Sequence, residues 1–133
     1  MKYISTRNGS KEFNFTEVFI KGLADDGGLF IPKTIPAISE QDLLILRKLN
    51  YKDLAKEIIF LFCDEKIRKD ELSNIVEKSY SKFNEKNVVK ITDLGENKIL
   101  ELYHGPTLAF KDIAMQFIGH LYDHHLKNLK KKN

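Results

Sequence analysis

Between Ser39 and Phe83 the chain carries three successive patterns of helical spacing, flanked on both sides by strand-like runs, which restricts it to a mixed α and β architecture. Ser39 followed by Asp42 opens the first, with Leu43, Leu44, Leu46 and Leu49 behind it. Asn50 followed by Asp53 opens the second, in which Tyr51, Leu54, Ala55, Ile58, Ile59 and Phe62 recur. Each opening puts a small polar side chain where it accepts from a helix amide three residues on. The third pattern runs from Arg68 to Lys82, with Leu72, Ile75, Val76, Ser79 and Phe83 along one stripe. Three amphipathic helices of this kind predict a small bundle-like core.

Upstream, Met1 to Thr6 predicts a short strand, Asn8-Gly9-Ser10 a turn, and Asn14-Phe15-Thr16-Glu17 a capped helix ending near Gly22. Asp25-Asp26-Gly27-Gly28 predicts a plain turn; it lacks the glycine spacing that presents backbone amides to a phosphate. Leu29-Phe30-Ile31 predicts a brief strand stopped by Pro32. Downstream, Val88 to Ile91 and Ile99 to Tyr103 flank Asp93-Leu94-Gly95-Glu96-Asn97, a hairpin pattern with a glycine in its loop. Phe110, Ile113, Ala114, Phe117, Ile118 and Leu121 then trace one apolar helix face, with Thr107 as its N-cap and Pro106 just outside.

Composition excludes some classes of function. An apolar share of 42% in 133 residues is that of a globular chain rather than a disordered one. With 22 Lys and Arg against 19 Asp and Glu, the net charge of +3 does not imply a nucleic-acid or membrane partner. The excess is local, since Lys127, Lys130, Lys131 and Lys132 crowd the end. Cys63, the single cysteine, lies in the apolar run from Ile58, where it acts as a small buried hydrophobe and forms no internal disulfide. That run is too short for a membrane span and the first residues lack a signal peptide's apolar stretch, so a cytoplasmic location is expected.

The segment His104-Gly105-Pro106-Thr107-Leu108-Ala109-Phe110-Lys111-Asp112 sets a lysine at the mouth of a helix, directly after a strand-like run. Attack on an aldehyde requires a neutral amine, and a helix N-terminus with apolar neighbours Leu108, Ala109 and Phe110 favours that form. Asp112 acts in the opposite direction unless its side chain turns away or caps exposed amides. On residue type and position alone, a solvated lysine at a helix start is the favoured reading of Lys111, since most lysines do nothing catalytic.

The run Leu102 to Asp112 closely resembles the cofactor-lysine segment of threonine synthases, pyridoxal-phosphate enzymes of fold type II. Tyr3-Ile4-Ser5-Thr6-Arg7 and Gly22-Leu23-Ala24-Asp25-Asp26-Gly27-Gly28-Leu29-Phe30-Ile31-Pro32 resemble the start of the same family's N-terminal domain. The resemblance implies an α/β fold type II enzyme. Of it, this chain would hold an α+β N-terminal domain over residues 1–86 and, over 87–133, the opening hairpin and lysine helix of a cofactor domain. It also implies conversion of O-phospho-L-homoserine and water to L-threonine and phosphate, with Lys111 holding pyridoxal 5'-phosphate as a Schiff base and moving protons.

By the same resemblance Phe110 packs against the pyridine ring, although a core phenylalanine on the stripe of Ile113 and Phe117 fits the spacing as well. His104 is expected to finish the strand rather than approach substrate. The family's phosphate-binding and other cofactor loops fall outside these residues, so a downstream segment is the expected partner and the 133 residues alone are not expected to make threonine. The apolar Phe117, Ile118 and Leu121 would then lack partners, and disorder or aggregation after about residue 98 is expected. A non-catalytic or split-enzyme association module is the alternative. A zinc site at His120-Leu121-Tyr122-Asp123-His124 is disfavoured, since Asp stands where the inverted zinc motif has Glu and no further acidic ligand follows, and no metal is assigned.

Overall fold

The computed structural model describes residues 1–130. Its first unit is a three-stranded antiparallel sheet in the order β2-β1-β3, from β1 (Lys2–Ser5), β2 (Phe13–Asn14) and β3 (Phe30–Pro32). Tyr3 pairs with Phe13 on one side and Pro32 on the other, so Pro32 lies on an edge strand, where its missing N–H is tolerated. Strand β2 has no counterpart in the sequence pattern, because a strand of two residues has no periodicity to read.

Helix α1 (Phe15–Lys21) begins at a reciprocal cap: the Glu17 amide donates to Asn14 Oδ1 at 2.9 Å and the Asn14 amide to Glu17 Oε2 at 2.8 Å. It stops at Gly22, whose φ of +73° suits glycine. The expected turn before β3 is built on Asp26, whose Oδ1 accepts from the Ser5 hydroxyl (2.7 Å) and the Gly28 amide (2.8 Å). Arg7 Nη1 donates to the Asp26 carbonyl, and a side chain at Gly28 would collide with Ser5 Oγ. The Ser-Thr-Arg and Asp-Asp-Gly-Gly runs are therefore two halves of one locked corner.

Three further helices follow: α2 (Glu40–Leu46), α3 (Tyr51–Phe60) and α4 (Lys69–Tyr80), with Ser39 and Asn50 capping the first two as their spacing predicts. Helix α4 is the centre of the core. Its Leu72, Ile75, Val76 and Tyr80 are buried with Cys63, Ile67, Val88 and Leu121, and Phe15, Phe19, Tyr51, Ala55, Ile59 and Phe117 pack around them. Helix α2 buries nothing; Leu43, Leu44 and Ile45 are all more than half exposed. The bundle is thus α3, α4 and α5 rather than α2, α3 and α4, because an amphipathic pattern marks a face without naming what covers it.

The hairpin β4 (Lys90–Leu94) and β5 (Asn97–Glu101) closes over the two-residue loop Gly95-Glu96, with Gly95 at φ +61°. Glycine at the first central position matches a type II′ turn. Helix α5 (Asp112–Lys130) comes last. Leu121 is only 1% exposed against α4, Tyr122 donates its hydroxyl to the Phe19 carbonyl, and the Phe19 and His125 rings lie 5.4 Å apart. The expectation that Phe117 and Leu121 lack partners is therefore corrected: both pack on the core centred on α4 within this chain, while Ile118 is partly exposed. Lys131 and Lys132 lie outside the described residues. No described helix is long and apolar enough to cross a membrane.

Candidate active site

The lysine-bearing segment hangs between two anchored ends. At the upstream end Glu101, the last residue of β5, is buried; its Oε1 accepts from the Thr92 hydroxyl across the hairpin, and its Oε2 lies 2.7 Å from His104 Nε2. The Thr92 hydroxyl and then His104 hold this carboxyl down at about 2. The His104 carbonyl accepts from the Asn84 amide at 2.9 Å, fastening the segment to the turn that follows α4. His104 therefore continues the chain past β5 and braces Glu101. At the downstream end the Tyr80 hydroxyl, from the core, donates to the Ile113 carbonyl in the first turn of α5.

Between these anchors the chain makes tight turns. The Leu108 amide bonds to the Gly105 carbonyl, the Asp112 amide to Ala109, and the Ile113 amide to Phe110. Leu108 sits at φ +61°, a left-handed conformation that costs a side-chain-bearing residue roughly 1–2 kcal/mol. This reversal delays the helix. Thr107 is not its N-cap; α5 starts at Asp112, and Lys111 takes the cap position, its carbonyl accepting from Ala114 and Met115. Lys111 thus stands just ahead of the first turn rather than within it, still at the helix mouth.

Asp112 closes the loop. It is 3% exposed, with Oδ2 accepting from the Thr107 amide (2.7 Å) and Oδ1 from the Thr107 hydroxyl (2.9 Å) and Gln116 (3.4 Å). Burial pushes its carboxyl up, but the Thr107 and Gln116 bonds outweigh that and leave it below the ordinary carboxylate value. Both oxygens are thus engaged by Thr107 and Gln116. Gly105 packs so closely on this carboxylate that an added Cβ would lie 2.8 Å from Asp112 Cγ.

Leu108, Ala109, Phe110 and Lys111 all project outward. The apolar shielding expected around the lysine is absent from this chain, with Leu108 67% and Phe110 64% exposed. Phe110 lies off the core stripe, which removes the reading of it as a core phenylalanine. The histidine cluster is dispersed: His124 pairs with Asn128 and Asp123 with Lys127, and among the described residues no group of three potential ligands could hold a metal.

Sequence comparison matches residues 2–80 to the family described as the threonine synthase N terminus. This chain belongs to the threonine synthase family. It is 44% identical to the Saccharomyces cerevisiae threonine synthase over 133 residues, covering 94% of this chain and 26% of that protein. The crystal structure of threonine synthase from Brucella melitensis, with PLP bound, superposes with a TM-score of 0.93 at 33% identity, covering 98% of this chain and 28% of the other. The yeast threonine synthase structure gives 0.91 at 40%, covering 96% and 27%. The fold is that of the N-terminal region of these fold type II enzymes. The chain spans about a quarter of the length of the curated relatives it matches.

The pattern of residues exposed the lysine, the helix after it and the resemblance. It did not expose Glu101, Tyr80 or the double grip of Asp112 on Thr107. The spacing of a threonine five residues before a helix-opening aspartate was the available signal for the last.

Proposed function

We propose that this chain supplies the N-terminal quarter of a threonine synthase, which converts O-phospho-L-homoserine and water to L-threonine and phosphate in the cytoplasm. On this reading residues 1–86 form the N-terminal domain and 87–133 open the cofactor domain. The observation that carries it is Lys111 at the cap of α5, outward-facing, in a loop anchored at both ends. Pyridoxal 5'-phosphate, when bound, supplies an electron sink for carbanions adjacent to the substrate amine.

The donor set fits that cofactor in part. Lys111 offers the amine that would hold its aldehyde carbon and afterwards move protons between substrate carbons. Phe110, next to it and exposed, offers a free aromatic face for a flat ring. The phosphate would be held elsewhere, because the first amides of α5 already bond to Ala109, Phe110 and Lys111 carbonyls. The remaining three quarters of such an enzyme would supply that cradle and the group facing the pyridine nitrogen.

A chimera tests this: the chain replaces the corresponding quarter of the S. cerevisiae enzyme, and phosphate and threonine are measured with O-phospho-L-homoserine. The chimera should turn over and its Lys111→Ala form should lose activity by at least about a thousandfold. Equal activity in the two would refute the assignment of Lys111.

A further inference from the structure

The three residues before Lys111, Leu108, Ala109 and Phe110, are exposed, so its position must be fixed from outside that run. The single side chain that reaches across the loop is Asp112. One carboxylate grips the Thr107 amide and hydroxyl, five residues back, while its own backbone amide bonds to Ala109. This is not helix capping, since the amide it satisfies belongs to the loop. Gly105 forms the floor beneath the carboxylate, and Leu108 is held left-handed between Gly105 and Asp112.

We infer that Asp112 is the positioning residue for Lys111: by closing Thr107 onto the start of α5, it holds the lysine's backbone at the helix cap while its own carboxylate oxygens are committed to Thr107 and Gln116. The second effect matters chemically. An aspartate next to an amine normally pairs with it and favours the ammonium form, but here both oxygens are engaged by Thr107 and Gln116. The same residue thus orders the loop with its carboxylate oxygens already committed to other partners. Asparagine can retain the grip, its carbonyl accepting from the Thr107 amide and its NH2 donating to the hydroxyl. Alanine cannot.

The inference rests on the proposed role of Lys111, and its test separates the two. The protein as its gene encodes it is incubated with pyridoxal 5'-phosphate and reduced with borohydride, the Lys111 peptide is quantified, and amide exchange is followed over residues 105–111. Asp112→Ala should speed exchange of the loop and lower Lys111 labelling, each by about tenfold or more, while Asp112→Asn stays within about threefold of the parent. Leu121→Ala, destabilised in the core but with its loop intact, should label normally at low temperature. Normal labelling in Asp112→Ala would overturn the positioning role and leave the proposed function standing. Parent protein labelled at another lysine would overturn both.

Discussion

Leu121→Ala tests whether the helix behind the lysine is docked by this chain's own residues. Leu121 is 1% exposed and packs among Leu72, Ile75, Val76 and Tyr80 of α4. The substitution removes three buried carbons at about 0.8 kcal/mol each, and the cavity left behind raises the loss to roughly 3–4 kcal/mol. For a chain of this size that lowers the midpoint of thermal unfolding by roughly 10–15 °C. Leu126 is on the same helix but 52% exposed, so Leu126→Ala should change stability by less than about 0.5 kcal/mol. Urea unfolding followed by circular dichroism reads both. Equal, small effects for the two leucines would mean that α5 is not seated on α4, and the account of how Lys111 is held would fail with it.

Other expectations concern single groups. Gly105→Ala drives a methyl into the Asp112 carboxylate and should cost about 1–3 kcal/mol in urea unfolding, with lower Lys111 labelling; a neutral outcome would contradict the close packing seen there. Glu101, held at about 2 against an ordinary 4.5, contributes stability that is present above about 4.5 and lost as pH falls toward 2, so Glu101→Gln should flatten the acid limb of stability against pH. Burial, then the nearby His124, lowers the pKa of His125 below the usual 6.5. Its contribution is therefore present above that value and lost as pH falls through it, a slope that His125→Gln should remove. Burial, with the Asp64 carboxylate adding to it, pushes the Cys63 thiol up to about 12, so alkylation by iodoacetamide should be at least ~100-fold slower in the native chain than in urea.

What the sequence displays is what acts locally. Asn14 with Glu17, Ser39 with Asp42 and Asn50 with Asp53 fix three helix starts within four residues of chain, and each forms as its spacing predicts. The stripe of α4 was equally legible, because Leu72, Ile75, Val76 and Ser79 recur at its own period. Pairing between distant segments was not. Nothing within α2 tells that Leu43 and Ile45 stay exposed, and nothing within α5 tells that Leu121 fills the space beside Val76. The site divides the same way. Lys111 stood out by its run of neighbours, whereas the left-handed Leu108 depends on Gly105 and Asp112 meeting across the loop, a closure no periodicity records.

The most direct measurement is a crystal structure of the protein, or of the yeast chimera, grown with pyridoxal 5'-phosphate. Continuous density should join the cofactor to Nζ of Lys111, with Asp112 still bonded to Thr107 and the Phe110 ring alongside. Density joining it to a different lysine, with the 105–112 loop facing empty solvent, would contradict the account.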